Sequence, residues 1–374
     1  MQCDNTTASL TAGKNERNSN LELLRIICMF FLIIHHCVVH GGSVWNATGL
    51  NWYIAWFFVP IGKICFNTFL AISAWFLVDK AFKSERFFKT WLQVFFYSIG
   101  GAALAFFLGL QMTWRDGFSA LFPITGNSHG FAAAYLAFYL LTPFLSIVAK
   151  RIGKKPLAFL IIILLYFQVF SKGIAFITQY TQNLYSELQL FVLVYFIVLY
   201  FKKFGIKIFE KRTFNIIVVL ISWVLLFVMM CLRRQSNNYI ELFFSINNDE
   251  SGIIYIISGC SLFFLFKNIN IKTNIIINKI AGTTFGILLI HDHNFLRPLF
   301  WTNILHVQDW YLSSYFGLYL FLTSLTVFIV CALIELIRQI IFNNTIYKLQ
   351  GMKKIFNKID ECLNYKEGVT IGKN

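Results

Sequence analysis

An arginine and three histidines lie within one strongly apolar stretch near the start of the chain, 21-LELLRIICMFFLIIHHCVVHGG-42. Histidine can take up and return a proton near neutral pH, as a general base acting on a hydroxyl must do. Arginine carries a permanent positive charge suited to phosphate, carboxylate or thioester oxygen. This combination suits transfer of a group to an alcohol, and it equally suits proton-coupled transport.

Helical geometry places most of these groups along one side of the stretch. Arg25 and His36 are eleven residues apart, which at about 100° and 1.5 Å per residue puts them within about 20° of each other and roughly 16 Å apart. Glu22 shares that side and His40 follows by one turn, whereas His35 points about 80° away. Because ionisable groups inside a bilayer usually face a polar cavity, this stripe predicts a site centred on His36.

Structural alternatives exist for several of these residues. Glu22 and Arg25 could form an ion pair at the level of the lipid headgroups, with their alkyl stems in the apolar region. His35 and His40 are as readily structural as functional. His36 is the hardest to explain structurally, because its depth places it well inside the span.

The composition of the 374-residue chain predicts a membrane protein. It is 57% hydrophobic, 18% aromatic and 13% charged, with a mean hydropathy of +0.65, and soluble proteins carry roughly a quarter charged residues. The apolar residues form blocks of about 15–25, the length that crosses a ~30 Å hydrocarbon core. We therefore predict an all-α polytopic protein with about ten transmembrane helices, near 21–40, 53–78, 90–110, 131–149, 157–171, 188–201, 213–232, 253–266, 281–300 and 313–341.

The net charge of +15 is placed so that it orients the chain, and it does not indicate nucleic-acid binding. Every second connector is basic, and the connectors between them hold only scattered cations, which is the positive-inside pattern. With ten spans, both termini face the cytoplasm. We predict a cytoplasmic segment at 1–20, a transmembrane domain at 21–342 and a basic tail at 343–374. The tail has helical spacing typical of an amphipathic segment on the inner leaflet, with an ordinary solvated tail as the alternative.

Cysteine and histidine spacing predicts neither a disulfide framework nor a metal site. The eight cysteines contain no C-x-x-C pair and lie mostly in apolar runs, where cysteine behaves as a small hydrophobe. The run His291, Asp292, His293 offers ligand atoms, but adjacent positions of this kind do not form a recognisable zinc arrangement. The polar N-terminal segment lacks the features of a signal peptide, so the first span is expected to be retained.

The spacing of Arg25 and His36 resembles the hallmark of acyltransferase family 3, integral-membrane O-acyltransferases of bacteria that modify polysaccharides. Later stretches resemble the family's other motifs in order along the chain, and together they cover residues 20 to about 340. Each motif is weak alone, but the ordered set is specific. The stretches are 66-FNTFLAISAWFLVD-79, 86-RFFKTWLQVFFYS-98, 122-FPITGNSHGFAAAYLAFYLLTPFLS-146 and 283-TTFGILLIHDHNFLRPLFW-301.

Three positions depart from the family pattern. Ala74 follows Ser73 where the family has glycine, Gly130 stands where it commonly has tryptophan, and Leu288 replaces a tyrosine. If that tryptophan shapes an acceptor pocket in relatives, the acceptor differs here.

The resemblance implies a mechanism. An acyl-CoA, in the first place acetyl-CoA, would present its thioester from the cytoplasm, with its anionic part against Arg86, Lys89 and Arg25. Ser73 is a further candidate for binding the donor. His36 would be a general base or a transient acyl carrier, and Arg25, oriented by Glu22, would position the donor. The acceptor-side candidates are His35, His40, His291 and Asp292.

These candidates have structural alternatives as well. Arg86 and Lys89 could be ordinary positive-inside residues. Ser73 could be a helix-packing residue. His291 and Asp292 could simply lie at the membrane interface.

The resemblance implies three partners, namely acyl-CoA, a glycan or lipid-linked sugar acceptor, and the lipid bilayer. It implies no metal and no nucleic acid, and it places the protein in a bacterial plasma (inner) membrane. The alternative is a transporter or flippase for a glycan or small organic acid, which paired Gly/Pro breaks in matching halves would favour. The chain has five prolines and no evident matching halves. A non-catalytic scaffold would not need the buried histidines.

Overall fold

A computed structural model describes residues 19–126, 129–179, 186–233, 238–247, 249–348 and 351–364 of the chain. Within these ranges the chain forms helices and turns and no strand, so the predicted all-α class is confirmed. The segment predicted at 1–20 lies almost wholly outside the described residues, as does the end of the tail.

Eleven helices carry the architecture of the described residues. They are α1 (Ser19–His40), α2 (Gly49–Leu77), α3 (Ser84–Phe107), α4 (Gly130–Arg151), α5 (Lys154–Leu165), α6 (Glu187–Phe204), α7 (Arg212–Leu232), α8 (Ile253–Lys267), α9 (Thr284–His291), α10 (Phe316–Asn344) and α11 (Gly351–Leu363). Shorter α-helices cover Ser43–Asn46, Trp114–Ser119, Ser171–Thr178, Asn238–Asn247 and Ile275–Ala281. Single turns of other helix types cover Tyr166–Phe170, Lys207–Glu210, Leu299–Ile304, Val307–Trp310 and Ile346–Lys348.

Seven of the described helices are long and apolar enough to cross a bilayer by length and composition. They are α1, α2, α3, α4, Lys154–Thr178, α7 and Phe316–Lys348. Two shorter apolar segments, Ile253–Lys267 and Ile275–His291, and the 18-residue α6 coincide with the remaining predicted spans. A multi-pass membrane protein is therefore shown, while the count of ten and the cytoplasmic termini stay predictions.

The ninth predicted span, 281–300, is not one helix. The amide of Thr283 donates to the carbonyl of Ile280, three residues back and not four. The α-helical hydrogen-bond pattern is therefore interrupted at Gly282, between the helices Ile275–Ala281 and α9. The second of these, α9, ends at His291, and a polar turn leads to Pro298, which precedes the π-helical turn Leu299–Ile304. Proline has no backbone N–H to continue a helix through this point. The break leaves the polar residues 291–294 at a helix end.

The first helix lies at the centre of the bundle. It packs against α2, α10, α8 and the segment Ile275–His291, and most of its residues are buried. Close approach to α2 depends on Gly62, where an added Cβ would lie 2.3 Å from His35. A Cβ added at Gly259 of α8 would lie 2.5 Å from Asn67 of α2. Small residues of this kind let membrane helices approach closely, so α2 is held tightly between α1 and α8.

A buried ionic network joins α3 to α10. The carboxylate of Glu335 is fully buried and accepts hydrogen bonds from five donor atoms of four side chains. A Cβ added at Gly286 of α9 would lie 2.3 Å from this carboxylate, so glycine is needed where α9 passes it. The donors are Tyr97 Oη at 2.8 Å, Gln93 Nε2 at 3.2 Å, Arg338 Nε and Nη2 at 2.8 and 2.7 Å, and Gln339 Nε2 at 2.8 Å.

The described part of the tail forms a helix that is attached to the start of α3. In α11, Asp360 accepts a hydrogen bond from the amide of Ser84 at 2.7 Å. Just beyond α11, Asn364 accepts from the amide of Phe82 at 2.9 Å. These bonds satisfy amides at the beginning of α3 that have no intrahelical partner. The tail thereby fixes the end of the helix that carries Arg86.

Candidate active site

A cavity of about 740 Å³ extends along α1, which is within the usual size of a ligand pocket. Successive turns of α1 line it from Glu22 and Arg25 at one end to His36 and His40 at the other. Residues of α2, α3, α4, α6, α7 and α9, together with residues of shorter segments, form the rest of its walls. The polar stripe predicted on the first span therefore faces this cavity.

The Arg25 end of the cavity is rich in positive charge. Arg25 Nη1 lies 3.3 Å from Glu22 Oε2, and the guanidinium lies 5.7 Å from the ring centroid of Phe76. Arg86 and Ser73 line the same end. Glu22 and Arg25 are therefore cavity residues joined as an ion pair, and Arg86 adds a second guanidinium to the cavity lining.

Lys89 lies outside the cavity, apart from the other residues that were predicted to bind the acyl donor. Its ammonium lies 2.8 Å from Glu85 Oε1 and 5.0 Å from the ring centroid of Tyr347, and its side chain is absent from the lining of the cavity. Arg86 and Lys89 are three residues apart, only about 60° around a helix, so helical position alone does not separate them. The neighbouring Glu85 and Tyr347 hold Lys89 on the outside of the bundle.

Aromatic side chains form the middle of the cavity, between Arg25 and His36. The lining includes Phe66 and Phe69 of α2 and Phe131 and Tyr135 of α4. The rings of Phe66 and Phe131 meet edge to face at 5.0 Å between centroids, a favourable aromatic arrangement. The part of the cavity between the two polar ends is therefore lined by aromatic side chains.

The imidazole of His36 contacts a second buried histidine. Its Nδ1 lies 3.0 Å from Nε2 of His291, whose own Nδ1 lies 2.6 Å from the carbonyl oxygen of Ile287. His291 is 1% exposed and His36 is 9% exposed. His291 was predicted on the acceptor side of the site, but it lies behind His36 and does not line the cavity.

Asp292 brings several charged groups together beside His36. Its Oδ1 atom lies 2.8 Å from Arg297 Nη2, 3.5 Å from His40 Nε2 and 3.7 Å from His36 Nδ1. The last two distances are too long for hydrogen bonds, so they represent electrostatic contact. Asp292 can therefore favour positive charge on either histidine.

The comparison with known families agrees with this geometry. A family model for acyltransferase family 3, described as an acyltransferase domain, matches residues 18–335. The chain belongs to acyltransferase family 3. The match runs from α1 into α10 and includes the helices that line the cavity. No curated protein and no solved structure matches the chain.

Family membership confirms the resemblance seen in the sequence and shows that the chain is a membrane acyltransferase. Arg25, His36 and Ser73, which carried the resemblance, all line the cavity of this acyltransferase. His35 lines it as well, although the helical arithmetic pointed it away from Arg25. Glycine at position 62 leaves room for its ring against α2.

The acyltransferase also gathers three groups that could hold a metal ion. Ligand atoms of His36, His40 and Asp292 lie within 4.8 Å of one another. Two of these atoms already have partners, because His36 Nδ1 contacts His291 at 3.0 Å and Asp292 Oδ1 contacts Arg297 at 2.8 Å. A cation would have to compete with the guanidinium for the same carboxylate. The prediction that no metal is required therefore remains a prediction.

Sequence reasoning missed a group of charged residues at the His36 end of the acyltransferase cavity. Lys63 lies inside a predicted span, so the rule that selected the histidines would also have selected it. The others lie near the ends of spans, where a charge is ordinary and gives no signal. The missed lining residues are Lys63, Glu187, Arg233, Glu250 and Arg297.

Glu187 occupies space beside Gly130, where the family commonly has tryptophan. A Cβ at Gly130 would lie 3.4 Å from Glu187 Oε1, and both residues line the cavity. An indole at position 130 would need the volume that the carboxylate occupies. The sequence departure noted at Gly130 thus coincides with a polar part of the cavity wall.

The wall containing Glu250 is held by its neighbour Asp249. Lys172 Nζ donates to both oxygens of Asp249 at 2.7 and 2.5 Å and also to the hydroxyl of Ser251. Burial works to raise the pKa of Asp249, but the hydrogen bonds from Lys172 and Ser251 hold it below its ordinary value. The charged carboxylate and the Lys172 ammonium therefore tie the segment beside Glu250 to the helix Ser171–Thr178.

Proposed function

We propose that this acyltransferase moves an acyl group, with acetyl as the expected group, from acyl-CoA to a hydroxyl of a cell-surface or secreted glycan. The observation that carries the proposal is the position of His36. One end of the cavity is rich in arginine and would suit an anionic donor, and the other end is polar and would suit a sugar. His36 lies between them, with the aromatic part of the lining on its donor side. The protein would lie in the bacterial plasma membrane. Its acceptor would be a free or a lipid-linked glycan.

The transfer step uses His36 as a general base. Its imidazole takes the proton of the acceptor hydroxyl while that oxygen attacks the thioester carbonyl carbon. The tetrahedral intermediate then expels the CoA sulfur, the C–S bond breaks, and the imidazolium returns the proton to the thiolate. Acyl-CoA and an alcohol thus become an ester and free CoA. Alternatively, the imidazole itself attacks the thioester and carries the acyl group briefly.

The proposal is tested by following free thiol release from acetyl-CoA with the purified protein in detergent. Glycan from the surface of the producing cell serves as acceptor, and protein-free detergent micelles serve as the blank. Glycan-dependent thiol release supports the proposal. Absence of thiol release with acetyl-CoA and with longer acyl-CoAs, from protein that is folded, would contradict it.

Arg86 and Lys89 form a matched pair for testing the donor end. Arg86→Ala is expected to raise the KM for acetyl-CoA about ten-fold or more, because a charged hydrogen bond to phosphate contributes about 1.5–3 kcal/mol. Lys89→Ala removes the same charge from the same helix but lies outside the cavity, so its KM should stay within about two-fold of wild type. Initial rates at varied acetyl-CoA concentration measure both. Equal effects of the two substitutions would mean that the cavity end does not bind the donor.

Gly130 gives a corresponding test of the acceptor end of the cavity. Gly130→Trp is expected to lower kcat/KM for the glycan about 10- to 100-fold, because the indole displaces Glu187 and misplacing a substrate by about 1 Å can cost that much. Gly130→Ala is the control, since its Cβ would be in ordinary contact at 3.4 Å. The KM for acetyl-CoA should not change in either variant. If Gly130→Trp has the wild-type kcat/KM for the glycan, the part of the cavity beside Glu187 does not bind the acceptor.

The tail supports a bilayer contact within the same proposal. Ile355 and Ile359 of α11 are exposed, and lysines at 353, 354 and 358 flank them on the helix. A helix with exposed apolar residues and basic flanks is suited to an anionic membrane surface. Its attachment to the beginning of α3 would place that surface close to the donor end of the cavity.

A further inference from the structure

The two contacts of His291 determine which of its ring nitrogens carries hydrogen. Nδ1 lies 2.6 Å from the carbonyl oxygen of Ile287, and a carbonyl oxygen can only accept, so Nδ1 must donate. The ring is 1% exposed, and within the described residues no carboxylate lies within ion-pair distance of it. Because an unpaired buried charge is costly, the ring is neutral. A neutral imidazole with hydrogen on Nδ1 has a bare Nε2 that accepts.

That arrangement dictates the state of His36. Its Nδ1 lies 3.0 Å from the accepting Nε2 of His291, so Nδ1 of His36 must be the donor of this hydrogen bond. Two bare nitrogens at that distance would repel each other. The hydrogen of neutral His36 therefore resides on Nδ1, and its Nε2 carries the lone pair that a general base needs.

We propose that His291 is a positioning residue that fixes His36 in the tautomer with a bare Nε2. The chain of hydrogen bonds runs from His36 Nδ1 to His291 Nε2 and from His291 Nδ1 to the carbonyl of Ile287. The functional meaning of this tautomer rests on the proposed transfer reaction, whereas the tautomer itself does not. His291 thus serves His36 without touching either substrate.

Asp292 strengthens the same orientation. Its Oδ1 lies 3.7 Å from Nδ1 of His36, on the side that carries the hydrogen. When Nε2 takes a proton from the acceptor hydroxyl, the imidazolium keeps its Nδ1–H toward His291 and feels the Asp292 carboxylate. Departure of the CoA thiolate then removes the proton from Nε2 and restores the starting tautomer. Nδ1–H is never lost in this cycle.

Imidazole nitrogen chemical shifts measure the tautomer directly and do not depend on activity. Protein with isotope-labelled histidine is reconstituted in bilayers, and the signal missing from His36→Ala identifies His36. We expect the wild-type signal of a hydrogen-bearing Nδ1 and a bare Nε2. The opposite tautomer in wild type would overturn the proposal, even if acyl transfer itself were demonstrated.

Two substitutions at position 291 test the functional consequence. His291→Phe keeps a ring but removes the acceptor, and we expect kcat to fall about 10- to 100-fold, as when outer partners of a site histidine are lost, with the KM for acetyl-CoA unchanged. His291→Gln offers a carbonyl oxygen at about the reach of Nε2 and is expected to recover kcat to within about ten-fold of wild type. If His291 had only a structural role, the two substitutions would lower kcat by a similar factor. A phenylalanine variant with wild-type kcat would contradict the proposal.

His293→Phe is the matched control, because His293 is equally buried but contacts the carbonyl of Ser98 on α3 at 3.3 Å. It should leave the His36 tautomer signal in place. If thiol release is absent in wild type while the expected tautomer is seen, the transfer reaction fails and the hydrogen-bond assignment stands. If the tautomer is wrong while transfer proceeds, only the role of His291 fails.

Discussion

Replacing His36 with alanine is expected to lower glycan-dependent thiol release by about 10²- to 10⁴-fold, the usual contribution of a positioned general base. The loss should appear in kcat, because Arg25 and Arg86 at the other end of the cavity still bind the donor. Thiol release at saturating acetyl-CoA measures it. His306→Ala is the control, since that imidazole is 58% exposed and does not line the cavity.

The same variant separates the two ways in which His36 can act. If His36 carries the acyl group, wild-type protein should release about one equivalent of thiol without acceptor, and that burst should be missing from His36→Ala. If it is a base only, neither protein shows the burst. Pretreatment with a metal chelator is expected to leave wild-type turnover unchanged, because Arg297 already neutralises Asp292. A His36 variant with full turnover would show that the cavity base has been misassigned.

The second large effect is expected at Glu335. Glu335→Ala leaves the Arg338 guanidinium, 7% exposed, without its carboxylate, and removing one member of a buried ion pair typically costs about 3–5 kcal/mol. It also removes the partner of Tyr97 and Gln93 on α3. The expected result is a marked fall in the thermal unfolding midpoint of the detergent-solubilised protein.

Glu85 provides the matched control for this stability effect. Its pair with Lys89 has the i,i+4 geometry and is about half exposed on both sides, so Glu85→Ala should cost less than about 1 kcal/mol. The double substitution Glu335→Leu with Arg338→Met should recover much of the loss, because apolar pairs often replace buried ion pairs without penalty. If Glu335→Ala and Glu85→Ala shift the midpoint equally, the buried network is not stabilising.

The fold class and the first helix followed from the sequence because the signals there are local. Long apolar blocks can be read directly, and helical periodicity alone placed Arg25 and His36 on one side of α1. Ionisable groups inside a span are rare enough that each one indicates a cavity. Lys63 lies inside a predicted span and obeys the same rule, so its place in the cavity lining is equally predictable from the sequence.

Other features depend on contacts that no local pattern records. His291 meets His36 across 255 positions of the chain, and the break of the ninth predicted span at Gly282 decides where that histidine lies. Lys89 matched a family motif but was directed away from the cavity by Glu85 and Tyr347, neither of which the motif includes. The pairing of Gly130 with Glu187 likewise arises only when α4 and α6 are packed together.

The central claim is most directly tested by following an isotopically labelled acetyl group from acetyl-CoA in bilayer vesicles that contain the protein and the producing cell's glycan. The label is expected on the glycan as a hydroxylamine-sensitive ester, in step with CoA release from the Arg25 and Arg86 side, and it should be absent with His36→Ala. Accumulation of glycan or a small acid in the vesicles without label transfer would contradict the account and favour a transporter.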